Sequence, residues 1–283
     1  MQSSFAVIGC GYVGADVAVS MKYAGHHVLG TTRSRRRFRE LHDMVHEPHV
    51  LDLTDPNGDL TFLERQDGVL ISVAPTESMD DLEAVFSTGI RNLARALRSR
   101  TSSQHLHVTY ISTAGVYGNQ NGDLVDEESS LDAINPVNRM LGEAETLLLS
   151  IDRPDTTICA LRLGGIYGPG RDMVSIIRQA AGEQIPKNGN SIPAWSSLLD
   201  ITSGVQFAFD NNLEGIYNLV DDMQLSRRQL SNEICDLDGL PPVIWANQDF
   251  KGARSMNARV SNQKLKSAGF RFKSPSMLMA SVA

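Results

Sequence analysis

The opening of the chain, Phe5-Ala6-Val7-Ile8-Gly9-Cys10-Gly11-Tyr12-Val13-Gly14, restricts the fold more than any other stretch. Its apolar run reads as a buried β-strand that breaks into Gly9-x-Gly11-x-x-Gly14. Behind it, Ala15, Val17, Ala18, Met21 and Ala24 give a helix with one apolar face. Each glycine answers a separate requirement. Gly9 makes the tight turn, Gly11 lets a pyrophosphate approach the backbone, and Gly14 seats the helix close on the sheet. The phosphates would lie on N–H groups at the positive end of that helix, beside Tyr12 and Val13. Three glycines alone can be a chance turn; the strand before them and the helix after them make this a dinucleotide-binding fingerprint.

The second strand, Val28-Leu29-Gly30-Thr31, carries the next constraint. A fold that takes NAD usually ends this strand with an Asp or Glu for the ribose 2′-hydroxyl. Here Thr32-Arg33-Ser34-Arg35-Arg36-Arg37 follows, and no acid appears before Glu40. A guanidinium clamps phosphate bidentately, and Ser34 adds a hydroxyl donor. The plain alternative is a solvated basic helix start. Arginines at a helix N-terminus oppose its dipole unless an anion compensates, so the expected cofactor is NADP(H), held by Thr32, Arg33, Ser34 and Arg37.

Further along, Val50-Leu51-Asp52-Leu53 reads as a short strand. Asp52 and Leu53 either lie near the adenine or, for Asp52, cap the following helix. Gly68 to Pro75 is a buried strand whose tail, Val73, Ala74 and Pro75, would pass beside the cofactor. One helix is expected from Asp81 to Arg100, and His107 to Ser112 is the next strand. His105 and His107 are expected to be surface or edge histidines. Strands apolar throughout, alternating with helices, predict an α/β fold: a Rossmann-type doubly wound parallel sheet covered on both faces. Ligands bind such sheets beyond the C-terminal strand ends, where Ser112 to Gly118 also emerge.

Composition narrows the classes. The chain has 283 residues, a net charge of −7 and a pI near 5.5, which argues against nucleic acid as a partner. No stretch approaches the roughly 18 apolar residues of a membrane span. A strand that begins at once leaves no room for a signal peptide. Cys10, Cys159 and Cys235 lie in or beside apolar runs without metal-ligand spacing, as buried free thiols of a cytoplasmic protein would.

In its longer motifs the chain resembles the extended short-chain dehydrogenases/reductases, the NAD-dependent epimerase/dehydratase family. The resemblance rests on the glycine fingerprint, Ser112-Thr113-Ala114-Gly115-Val116-Tyr117-Gly118 and Leu161 to Gly170 with its Tyr167-Gly168-Pro169-Gly170 turn. It continues through Leu199-Asp200-Ile201, Gly215 to Asp222 and Arg259 to Leu265, followed by Ala268-Gly269-Phe270. It implies that Thr113 hydrogen-bonds the substrate oxygen, that Ser112 and Gly165 lie at the cofactor, and that subunits pair into homodimers. It also implies an NADP-binding domain over residues 1–165 and a small, partly interleaved substrate-binding subdomain over 166–283. Trp195, Ser196, Ser197 and Asp200 are its expected cleft residues.

One departure matters more than the match. The family's proton chemistry uses Tyr-x-x-x-Lys on a helix that ends in Ala-Glu, and anchoring on Ala144-Glu145 puts Val137 at the tyrosine and Leu141 at the lysine. Neither can move a proton. The six tyrosines, Tyr12, Tyr23, Tyr110, Tyr117, Tyr167 and Tyr217, have Asp16, His27, Ala114, Asn121, Arg171 and Asp221 four residues on, never lysine. The remaining catalytic candidates are Tyr117 for acid/base work and Arg139 as a cation for an oxyanion or phosphate. Their plain readings are a packing tyrosine and a solvated helix residue. Asn119 to Glu128 reads as a polar turn and acidic run, a solvated loop rather than a metal site.

Three functions are compatible with these residues. The first is an NADP(H)-dependent oxidoreductase on a small carbonyl or hydroxyl compound, with Thr113 orienting the oxygen and Tyr117 or water supplying the proton. The second is a non-catalytic NADP(H)-dependent sensor or assembly factor. The third is a nucleotide-sugar epimerase or dehydratase, opposed by Val137, Leu141 and the arginine cluster.

Overall fold

The structure is a computed structural model that describes residues 2–75, 78–248 and 256–279. Strand β1 (Ser4–Ile8) leads into helix α1 (Tyr12–Tyr23), followed by β2 (His27–Thr32), α2 (Phe38–Met44), β3 (Glu47–Val50) and β4 (Gly68–Ile71). Helices α3 (Met79–Glu83) and α4 (Ile90–Arg98) precede β5 (Leu106–Thr113) and β6 (Asn119–Val125). Then come α5 (Pro136–Leu149), β7 (Thr156–Leu163), β8 (Gly165–Tyr167), α6 (Met173–Gln179), β9 (Gln184–Asn188) and β10 (Trp195–Ser197). The described chain ends with α7 (Leu198–Asp210), β11 (Gly215–Leu219), α8 (Arg227–Asp238), β12 (Ile244–Ala246), β13 (Asn257–Val260) and α9 (Gln263–Ser267).

Seven strands form the main sheet in the order β11-β7-β5-β4-β1-β2-β3. β1 runs parallel to both β2 and β4, so the strand order reverses on either side of it. β2–β3 and β4–β5 are parallel as well. This is the doubly wound α/β sheet that the apolar strands predict. Phe5, Ala6, Val7, Val28, Val69, Leu70 and Ile71 are all fully buried, as strands covered on both faces must be. On α1, Val13, Gly14, Val17, Ala18 and Met21 are buried, the stripe expected of a helix laid on that sheet.

The chain divides into two compact units that interleave along the sequence. Unit 1 comprises Met1–Ser112, Arg139–Leu161 and Thr202–Ile216; unit 2 comprises Thr113–Asn138, Arg162–Ile201 and Tyr217–Ala283. In unit 1 the ring of Phe209 packs edge-on against Phe5 at 5.4 Å and closes the space over Gly68. Unit 2 has its own apolar cluster of Tyr167, Val174, Ile177, Trp195, Leu230, Ile234 and neighbouring side chains.

Several local expectations need correction. The expected helix 81–100 is helical from Met79 to Arg98, but a π-helical turn, Ala84–Gly89, joins α3 to α4 within it. The strand expected over 50–53 lies earlier, at β3, and the strand from Gly68 ends at Ile71 rather than Pro75. His107 is not a surface histidine. It is buried, its ring nitrogens 3.0 Å from the hydroxyls of Thr157 and Thr109, and burial pushes its pKa down to about 4. The polar stretch after Tyr117 is not a plain loop either, since Asn119 to Val125 forms β6 and pairs with β13. All three cysteines are buried free thiols.

Candidate functional site

The glycine turn is built by backbone constraints. Gly9 has φ +94°, and a Cβ there would lie 2.6 Å from Ser72 O. A Cβ on Gly14 would lie 2.2 Å from Gly9 O, so α1 can approach the turn only without one. Gly11 differs, because a Cβ there would meet nothing within 4 Å. Its missing side chain therefore serves open space rather than packing. No side chain caps α1. The turn is tied to β2 by two hydrogen bonds the sequence did not announce: Gly9 N donates to Thr31 Oγ1 at 3.0 Å and Cys10 N to Thr31 O at 2.8 Å.

Beside that turn, within unit 1, lies a cavity of about 240 Å³. Gly9, Gly11, Thr32, Arg33, Ser34, Arg37, Asp52, Leu53, Val73 and Ala74, all anticipated from sequence, line it together with Ile8, Cys10, Leu51, Ser72 and others. At its basic end the side chains make local contacts. Ser34 Oγ accepts from Arg37 N at 3.3 Å, Arg33 Nη1 lies 3.0 Å from Asp81 Oδ1, and Arg37 Nε lies 3.4 Å from Glu40 Oε2. Asp52 lines the wall but caps no helix; its Oδ1 accepts from Thr54 N at 2.9 Å and Thr54 Oγ1 at 2.8 Å. Asp59, one residue before the N-cap Leu60 of the short 3-10 turn Thr61–Arg65, accepts from Thr61 N at 2.9 Å. Burial pushes the Cys10 thiol up to about 11, so this sulfur is a neutral part of the wall.

Tyr12, Val13, Gly14 and Pro75 stand outside this lining, and so does Ser112, whose hydroxyl hydrogen-bonds the buried carboxylate of Glu145. That contact explains the Ala144-Glu145 landmark: the glutamate grips the end of β5. Val137 and Leu141 are both buried. Asn135 Oδ1 caps α5 by accepting from Val137 N at 3.0 Å and Asn138 N at 3.3 Å. Arg139 is exposed and lies 3.9 Å from Glu143, an ordinary i,i+4 surface pair.

A second cavity, about 330 Å³, lies within unit 2. Thr113, Gly115, Leu163, Gly164, Gly165, Pro193, Ala194, Trp195, Arg227 and Met256 line it. Thr113 Oγ1 accepts from Gly115 N at 3.0 Å, which leaves the hydroxyl proton for an acceptor. Gly165 is part of this wall rather than of the cofactor cavity, and a Cβ there would press on the Trp195 ring at 2.8 Å. Ser196, Ser197 and Asp200, expected in the cleft, are buried supports instead. Gly164 N donates to Ser196 Oγ at 2.9 Å, Ser197 Oγ donates to Asp200 Oδ2 at 2.7 Å, and Asp200 accepts from the backbones of Lys273 and Ser274.

Known proteins share this fold. The model of the NAD dependent epimerase/dehydratase family matches residues 6–219. The chain belongs to that family. It is 24% identical over 281 residues to Protein YeeZ of Escherichia coli strain K12, covering 97% of each chain. Among solved structures it resembles the Bordetella bronchiseptica enzyme WbmG in complex with NAD. That match has a TM-score of 0.78 and 18% identity over 98% of this chain and 91% of that one. MoeE5 in complex with UDP-glucose and NAD is similar at a TM-score of 0.75 and 20% identity, over 99% and 100% of the two chains.

The family stretch contains Tyr117, and here the structure adds partners that lie far away in sequence. Tyr117 is fully buried; its hydroxyl donates to Asn218 Oδ1 at 2.9 Å and accepts from Arg162 Nη1 at 2.9 Å. The Arg162 guanidinium also lies over the Tyr117 ring, 5.0 Å from its centre. Asn218 Nδ2 passes the chain on to Ser261 O at 2.9 Å. The pieces around Tyr117, Arg162, Asn218 and Ser261 are thus one buried network. Burial raises the Tyr117 pKa, with Arg162 opposing the shift. Arg162 and Asn218 carried no local signal of this role. Tyr167 lies in a second such knot, 3.1 Å from Asp221 Oδ2, and burial pushes the Asp221 carboxyl up to about 8. Among the described residues no group of three metal-ligating side chains comes together, and no helix is long and apolar enough to cross a membrane.

Proposed function

We propose that the chain binds NADP(H) in the unit 1 cavity and works as an oxidoreductase on a small carbonyl or hydroxyl compound. The carrying observation is the wall formed by Thr32, Arg33, Ser34 and Arg37, with no carboxylate at the end of β2. Two guanidiniums and a hydroxyl suit a 2′-phosphate, which would draw Arg33 and Arg37 from their exposed pairs with Asp81 and Glu40; a bare 2′-hydroxyl offers them no charge. The open space at Gly11 and the uncapped start of α1 fit a pyrophosphate.

Bound there, the cofactor supplies or accepts a hydride at carbon. The chain's own part is positioning. Thr113 donates its hydroxyl proton as a hydrogen bond to the substrate oxygen, from the wall of the unit 2 cavity. Tyr117 is engaged by Arg162 and Asn218 and acts as a support, so solvent water supplies the proton in the reductive direction. Arg139, on an exposed helix face, takes no part in this reading.

NADPH oxidation by the purified chain against a broad panel of aldehydes and ketones tests the proposal, with NADH in parallel. Turnover with NADPH above background supports it. Tight NADPH binding without turnover across the panel would favour the non-catalytic sensor, a reading that buried Val137 and Leu141 already support.

A further inference from the structure

Among the described residues that line the unit 2 cavity, Arg227 is the one charged group. This arginine is fixed at its root. Arg227 N donates to Ser191 O at 3.0 Å, and its Nε donates to Ser191 Oγ at 3.3 Å. Ser191 is itself buried and donates from its hydroxyl to Asn188 O at 2.7 Å. Nε held this way restrains the plane of the guanidinium. It also stands at the first position of the twelve-residue helix α8, whose amide ends add positive potential.

The same wall also holds a buried polar group without a partner. Trp195 is 8% exposed, and its indole Nε1 is buried with no hydrogen-bond partner. The other tryptophan, Trp245, donates its Nε1 to Ser231 Oγ at 2.9 Å, as buried indoles normally do. A buried donor without an acceptor is costly and uncommon in a native fold. Thr113, on that wall too, has a hydroxyl that already accepts from Gly115 N and so faces a ligand as a donor. Arg227 and Thr113 can thus donate from this wall, and no carboxylate is among its described lining residues.

We propose that this cavity recognises a small molecule by a carboxylate or phosphate group, with Arg227 as the specificity residue. This deepens the oxidoreductase reading and rests on it for the identity of the cavity as the substrate site. The oxyanion end of the substrate pairs with Arg227 and the opposite, oxygen-bearing end meets Thr113. A guanidinium held in one plane favours a two-oxygen acceptor, which both groups present. Neutral sugars, alcohols and hydrocarbons lack the group this cavity is built to hold.

The test uses the full chain carrying Trp245→Phe, so that Trp195 is the single fluorescent indole. Inorganic phosphate and pyruvate are titrated separately, with NADPH present at saturation to keep anions out of the nucleotide cavity. Saturable changes in Trp195 emission are expected, and whichever anion binds more tightly identifies the headgroup. Adding Arg227→Gln should weaken that binding at least tenfold, while Arg227→Lys retains part of it and NADPH affinity stays unchanged in both. Failure of both anions to bind, or equal binding by the Arg227→Gln variant, overturns the proposal. NADPH binding, measured by calorimetry on the same samples, separates this outcome from the earlier one. Lost NADPH binding with intact anion binding would sink the cofactor reading and leave the oxyanion cavity standing.

Discussion

Arg33 gives the sharpest test of cofactor choice because the structure shows its carboxylate partner. Its Nη1 lies 3.0 Å from Asp81 Oδ1, and the two side chains are 43% and 22% exposed. A pair this exposed contributes about 0–1 kcal/mol. A charged hydrogen bond from Arg33 to a 2′-phosphate contributes roughly 1.5–3 kcal/mol. Binding exchanges the first for the second, so Arg33→Ala should weaken NADPH by about 1–2 kcal/mol, or 5- to 30-fold. NADH, with no 2′-phosphate, should change little. Asp81→Asn should do the opposite. It removes the competitor for Arg33 and tightens NADPH by at most about 1 kcal/mol, roughly fivefold. The gain must vanish when Arg33 is already Ala, since it acts through that side chain. Isothermal titration of the wild type, the two single variants and the double variant with both nucleotides completes the cycle. Equal weakening of NADH and NADPH by Arg33→Ala would refute the 2′-phosphate assignment. An Asp81→Asn gain that survives in the double variant would refute the exchange.

Three further outcomes follow from geometry already described. Gly14→Ala drives a methyl into Gly9 O and should lower the melting temperature, costing about 1–3 kcal/mol or more, whereas Gly11→Ala should melt like wild type and lose nucleotide affinity. Tyr117→Phe removes the hydroxyl that links Arg162 Nη1 to Asn218 Oδ1 and should cost about 1–3 kcal/mol in denaturant unfolding while NADPH oxidation persists. A collapse of turnover at unchanged stability would instead make Tyr117 the proton donor. Asp221 binds its proton more tightly folded than unfolded, its carboxyl being raised to about 8 from 3.8. Its contribution is therefore complete below about pH 4 and is lost as pH rises through about 8. Asp221→Asn should flatten that part of the stability–pH curve, raising stability at pH 8 relative to wild type; an unchanged curve would show that the site stays ionised.

How much of this was legible in the sequence depends on how far each constraint reaches along the chain. The glycine fingerprint and the basic turn after β2 are local, and most of the residues they named line one cavity. His107 was misread because its burial is decided by the strands on either side of β5, which no pattern around residue 107 contains. Tyr117 meets Arg162 at a separation of 45 residues and Asn218 at 101, so a motif could supply the tyrosine but not its occupation. The segment Asn119 to Val125 looked like loop because its partner strand, β13, lies more than a hundred residues on. Arg227 passed unnoticed as one of two adjacent arginines at a helix start; only the cavity distinguishes it from Arg228.

The weave of the two units bears on how the protein is made. A nascent chain that has emerged through Leu161 carries the glycine turn and most of the main sheet's strands, but it still lacks Phe209, whose ring shuts the base of that sheet beside Phe5 and Gly68. Until translation delivers α7, this apolar floor stays wet, so the nucleotide half cannot mature ahead of the rest. A fragment cut after residue 165 should accordingly be a sticky, chaperone-dependent species rather than a small soluble nucleotide binder.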